Sequence, residues 1–153
     1  MNEAGSEITS KVTGGEMYMS QSELEMVCSG LLNDLSGVLT WKWDDRFGAL
    51  LTQFQVEGQE EVRRVLDRHF DHLWDQKSIR QAPRAIKEGV EDFRELRNNQ
   101  LLFTSDPANG SLLFAAWWPW GDAKSISVRV ASVVPGQAPR RTGLLGKVLQ
   151  FFN

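Results

Sequence analysis

Apolar residues recur along this chain with two different periods, and the switches between them lay out its secondary structure. After Ser20 or Ser22, either of which can cap a helix, Leu24, Val27, Cys28, Leu31, Leu32 and Leu35 return at helical spacing on one face. Ser36-Gly37 then stops that helix. In VLTWKW, residues 38–43, the period drops to two: Leu39, Trp41 and Trp43 alternate with Val38, Thr40 and Lys42, which predicts a strand. DDRFG is a turn of hairpin length, and ALLTQFQV predicts the returning strand. Beyond Gly58, QEEVRRVLDRHFDHLWDQ resumes helical spacing through Val62, Val65, Leu66, Phe70 and Leu73. Pro83 opens a further short helix, PRAIKEGVEDFREL, with Ile86, Val90 and Phe93 on its buried side. Gly89 inside that helix costs about 1 kcal/mol relative to Ala.

The last third reads as sheet. QLLFTS and SLLFAAWW flank the turn DPANG, and after PWGDAKS the stretch SISVRVASVV alternates Ile126, Val128 and Val130 with Ser127, Arg129 and Ala131. This last pattern predicts a strand with one face buried and one wet. PGQAPRRTG then marks a linker, and GLLGKVLQFF suits a short amphipathic helix. The expected fold is α+β: an antiparallel sheet of about five strands, a hairpin plus a three-stranded meander, packed with three to four helices. The expected organisation is a flexible leader over 1–18, a single domain over 19–135, and a linker with a terminal helix over 136–153. This order of elements, over roughly residues 20–150, resembles that of roadblock and longin-like domains, small adapters often found with GTPases. The resemblance lies in element order, without a motif attached to it.

Composition narrows the class. With 41% hydrophobic and 24% charged residues the chain falls in the globular range, away from the disordered class. No apolar run approaches the roughly 20 residues of a membrane span, and the polar N-terminus is not that of a secretory signal, so a cytoplasmic location is expected. The net charge is a mild −3 but unevenly spread. Glu3, Glu7, Glu16, Glu23 and Glu25 face only Lys11 in the first 26 residues, whereas Lys124, Arg129, Arg140, Arg141 and Lys147 meet no acid after residue 122. That asymmetry suits an interacting tail and falls short of a nucleic-acid footprint.

Candidate chemistry is sparse. DRHFDHLWD carries His69 and His72 among Asp67, Asp71 and Asp75, residue types that bind metals. On a continuous helix the three aspartates would line the solvent side, with the histidines packed toward the sheet and without a ligand pattern such as HExxH, so no metal is expected. Cys28 excludes an internal disulfide by being the sole cysteine, and its place on an apolar stripe predicts an inert thiol. There is no phosphate loop, dinucleotide turn or nucleophile elbow, so neither cofactor nor catalytic residue is assigned.

What remains is aromatic. FAAWWPWGDAK packs Trp117, Trp118 and Trp120, half of the chain's 6 tryptophans, around Pro119. In a strand Trp117 and Trp118 point to opposite faces, so one must face water, a second layer or a partner. The leading expectation is a non-enzymatic protein-binding or adapter domain, either joined to a partner or self-associated. It would use an exposed edge at Trp117, Trp118 and Trp120 and the tail residues Leu145, Val148, Phe151 and Phe152. A terminal helix after such a linker most often docks back on its own domain; the sharper reading is an anchor for a partner groove or an anionic membrane surface, helped by Arg140 and Arg141. The alternatives are a small-molecule sensor whose pocket is lined by Trp41, Trp43 and Trp117, or an enzyme without a recognisable motif.

Overall fold

In the computed structural model, which describes residues 19–90, 93–107 and 111–133, the chain forms an α+β fold around a six-stranded antiparallel sheet. Two short helices come first, α1 (Gln21–Val27) and α2 (Ser29–Asp34). Ser20 caps α1 reciprocally with Glu23, each side chain bonding the other's backbone N–H, at 3.2 and 3.0 Å. The single helix expected over this stretch is interrupted at Cys28, whose φ of −107° and ψ of 29° leave the helical region. The apolar stripe survives the break, because Leu24, Cys28, Leu31 and Leu35 are all buried. Gly37, at φ 83°, supplies the left-handed stop after α2.

The hairpin of β1 (Lys42–Asp44) and β2 (Ala49–Gln55) follows, its turn closed by Gly48 at φ 60°. A 3₁₀ turn at Val56–Gly58 leads into α3 (Gln59–His69), which buries Val62, Val65 and Leu66. The sequence predicts that this helix runs on to Gln76, but it ends at His69. Phe70 turns extended, and His72–Trp74 forms an edge strand, β3. Sheet pairing overrides the helical period here. Asp71 N donates to Thr104 O at 3.0 Å, and His72, Leu73 and Trp74 face Thr104, Phe103 and Leu102. A 3₁₀ turn at Ser78–Gln81 precedes α4 (Arg84–Gly89), which is shorter than its apolar pattern predicts and stops at the glycine. The sheet closes with β4 (Leu101–Thr104), β5 (Leu112–Pro119) and β6 (Ser125–Val133). Its order is β1-β2-β6-β5-β4-β3.

Both faces of this sheet are covered. On the first face α1, α2 and α3 pack over Leu50, Phe103, Ala115, Trp117 and Val128. On the second, the Ser78–Gln81 turn, α4 and Phe93–Leu96 pack over Leu102, Leu112, Phe114, Trp118 and Ala131. This second layer corrects the half-wet reading of β6: all nine of its residues are buried, including Ser127 and Arg129. Among the described residues no helix is long and apolar enough to cross a membrane. The proposed leader, linker and terminal helix lie outside the described residues.

Candidate functional site

The adjacent tryptophans of β5 separate into the two layers. Trp117 is 3% exposed on the first face, edge-on to Phe54 with centroids 5.7 Å apart. Trp118 is 2% exposed on the second, stacked on Phe93 at 5.5 Å. β5 lies between β4 and β6, so it offers no free edge, and neither indole forms the exposed binding edge anticipated from sequence. Of the three, Trp120 alone is exposed, at 37%, and its indole N–H donates to Ser127 Oγ at 2.7 Å. Leu145, Val148, Phe151 and Phe152 lie outside the described residues. Trp41 and Trp43 are half-buried beside the first-face core, at the β1 edge of the sheet. Three strand spacings separate β1 from β5, roughly 14 Å, and neither Trp41 nor Trp43 is among the residues lining the cleft beside Trp117.

The histidines also part company. His69 Nε2 meets Asp34 Oδ2 at 2.7 Å, clamping the end of α3 to α2, and Arg68 lies 3.7 Å from the same oxygen. The His69 hydrogen bond, aided by the charges of His69 and Arg68, holds the Asp34 carboxyl below its ordinary value. His72 instead pairs with Asp106 and stacks on Trp74. Asp71 accepts from Asp106 N, and Asp75 accepts from the backbone of Lys77 and Ser78, so the three aspartates do not form one stripe. No group of three or more potential metal ligands is found among the described residues. Cys28 is buried, its thiol donating to Leu24 O at 3.0 Å. Burial, with some help from Glu25, pushes the thiol up to about 11.

Trp117 does border a cleft, at the end of the sheet where α3 begins. Val56 N donates to Lys124 O at 2.9 Å, which ties the start of α3 to the β5–β6 turn. The space between them, about 390 Å³, is lined by Leu101, Trp117 and Ile126 together with the polar residues Gln59, Arg63, Asn99 and Ser125. Two of its lining residues, Asn99 and Ala123, are the described non-glycine residues with positive φ, at 76° and 61°. Arg63 sits one turn into α3 with its guanidinium carbon 5.7 Å from the Phe103 ring centre and 5.9 Å from that of Trp117. Its Nε is enclosed and makes no hydrogen bond among the described residues. The nearest carboxylate oxygen, on Asp67, stands 3.9 Å away.

Sequence reasoning missed Arg63, because in a helical pattern it is one charge among several. The signal that singles it out is tertiary: β4 and β5 bring Phe103 and Trp117 beneath it. The described lining contains no carboxylate, histidine or thiol, so these side chains provide binding groups without a general acid or base. Compared with known proteins, the chain matches no family model, no curated protein and no solved structure at a significant level.

Proposed function

We propose that this chain is a ligand-binding domain of the sensor type, taking a small organic anion with a flat apolar body into the cleft at the start of α3. The observation that supports the reading is Arg63: a guanidinium held over two aromatic rings, with an enclosed N–H that no described residue uses. An anion meets the open part of that side chain, which is 39% exposed although Nε itself is enclosed, and the apolar lining of Leu101, Trp117 and Ile126 receives the body of the ligand.

The test is an amide-resolved NMR titration with indole-3-acetate, and with neutral indole-3-acetamide as control. The expected result is saturable shifts at Gln59, Arg63, Asn99 and Ala123 with the acid, weakened about tenfold by Arg63→Met as one charge-assisted contact is lost. Shifts that ignore Arg63→Met, or that arise equally with the amide, overturn the reading.

A protein-binding role rests on different residues. Trp120, at 37% exposure, and Met26, at 76%, are large apolar side chains open to solvent. Light scattering over a concentration series separates the roles, since self-association sensitive to Trp120→Ser supports an adapter and a concentration-independent monomer supports the sensor.

A further inference from the structure

The second layer carries a cleft of its own, on the face of the sheet away from α3. About 390 Å³ in volume, it is lined by Arg80 from the 3₁₀ turn, Lys87 from the last turn of α4, and Arg94 and Glu95 beyond it, with Ile79 and Leu96 as apolar neighbours. Arg80, Lys87 and Arg94 form no hydrogen bond or ion pair among the described residues. Two described acids close by are engaged elsewhere: Glu88 takes Arg84 at 2.8 Å, and Asp75 takes the amides of Lys77 and Ser78. On the described lining of this concavity one carboxylate, Glu95, thus stands against three cations, Arg80, Lys87 and Arg94. Their mutual repulsion is a cost that a bound anion reverses.

From this arrangement we infer a second binding site, specific for a phosphate ester. Two guanidinium groups match the paired oxygens of a phosphoryl group, and the Lys87 ammonium adds a point charge. Glu95, on the same lining, repels a bare anion placed against it and accepts a hydrogen bond from a hydroxyl. A phosphoryl group joined to a hydroxylated body meets the two requirements at separate positions, whereas the hydroxyl of free phosphate sits on the phosphorus itself, among the oxygens that face the cations. Ile79 and Leu96, both buried, give the cleft a fixed base, so the cations need not be ordered from a mobile loop.

The experiment is calorimetric titration of the full chain with ribose 5-phosphate, inorganic phosphate and ribose. The expected order is ester tighter than free phosphate, with ribose alone inert. Arg80→Gln combined with Arg94→Gln should weaken the ester about tenfold or more, as two charge-assisted contacts are lost. Both positions are exposed, so the double variant is expected to fold. Arg64→Gln, an exposed cation on α3, should leave affinity unchanged. The inference fails if the ester does not bind at millimolar concentration, if free phosphate binds as tightly, or if Arg64→Gln weakens binding as much as the double variant. None of these failures bears on the cleft at Arg63, which belongs to the opposite face.

Discussion

Arg129 Nε on β6 donates to Asp44 Oδ2 at 3.1 Å, joining positions 85 residues apart across β2. The pair is almost sealed from water, with Arg129 2% and Asp44 8% exposed, and the guanidinium lies 4.9 Å from the Phe47 ring centre and 5.6 Å from that of Trp118. Burial pulls the Arg129 pKa below its ordinary value, while the hydrogen bond and charge of Asp44 oppose that pull.

Removing Arg129 leaves the buried Asp44 carboxylate to Arg46, which is 55% exposed and 3.6 Å away, a weaker counter-charge than the enclosed guanidinium. Arg129→Met is therefore expected to cost ~3–5 kcal/mol, read as a lower urea midpoint. Adding Asp44→Leu should recover at least half of that loss, since an apolar pair no longer strands a charge. A double variant no more stable than Arg129→Met refutes this account.

The two layers of the sheet predict similar costs for two adjacent residues. Trp117→Ala and Trp118→Ala should each destabilise by ~3–5 kcal/mol, whereas Trp120→Ala should cost less than about 1 kcal/mol. Equilibrium unfolding of the three variants is the check, and a mild Trp118→Ala would contradict the second layer.

Cys28 predicts an inert thiol with a pH signature. Its pKa rises from 9.0 to about 11 on folding, so its contribution to stability is full below about 9 and is lost as pH climbs toward about 11. At pH 8 a small disulfide reagent should label the native protein only slowly and the urea-unfolded chain at once. Cys28→Ala should flatten the alkaline limb of the stability profile.

Asp34 predicts the opposite limb. A carboxyl held low by His69 favours the fold above its unfolded value of 3.8 and loses that contribution as pH falls through the lower folded value. Asp34→Asn should reduce stability near neutrality and remove part of the acid dependence. An unchanged acid limb would show that the clamp between α2 and α3 is not coupled to folding.

At Ala123, φ 61° places a β-carbon where only glycine sits without strain. Left-handed backbone costs a non-glycine residue ~1–2 kcal/mol, and a glycine's added entropy costs ~0.5–1 kcal/mol. Ala123→Gly is thus expected to raise the melting temperature, with a net gain of roughly 0.5–1 kcal/mol. A lowered melting temperature would refute it.

Particular residues show where the one-dimensional pattern carries the fold and where it does not. The alternation in SISVRVASVV marks β6 correctly, because side chains repeat every two residues on a strand and every 3.6 on a helix, whereas the strand expected over residues 38–43 forms only as Lys42–Asp44. The histidine stretch misleads, since Phe70 and Leu73 fit a helical arc as well as they fit a bend followed by a strand, and the deciding partner, β4, lies some 30 residues on. Arg129 reads as solvent-facing for a similar reason. Its layer is built by Ile79, Ala82, Ile86, Val90, Phe93 and Leu96, and its counter-ion comes from the first hairpin. At the cleft, Trp117 stands out in the sequence, but its fellow lining residues Gln59, Arg63 and Asn99 come from separate elements that only the fold brings together, and Trp41 and Trp43, expected beside it, do not line this space.

The strand order has a consequence for how the chain is made. β6 sits third in the sheet yet is the last of the six strands to be synthesised. Until residues 125–133 leave the ribosome, β2 and β5 each present an unpaired inner edge, and the two halves of the sheet have nothing between them. Joining the halves depends on one long strand made last, the kind of late, non-local pairing that is slow and leaves edges exposed while it is pending.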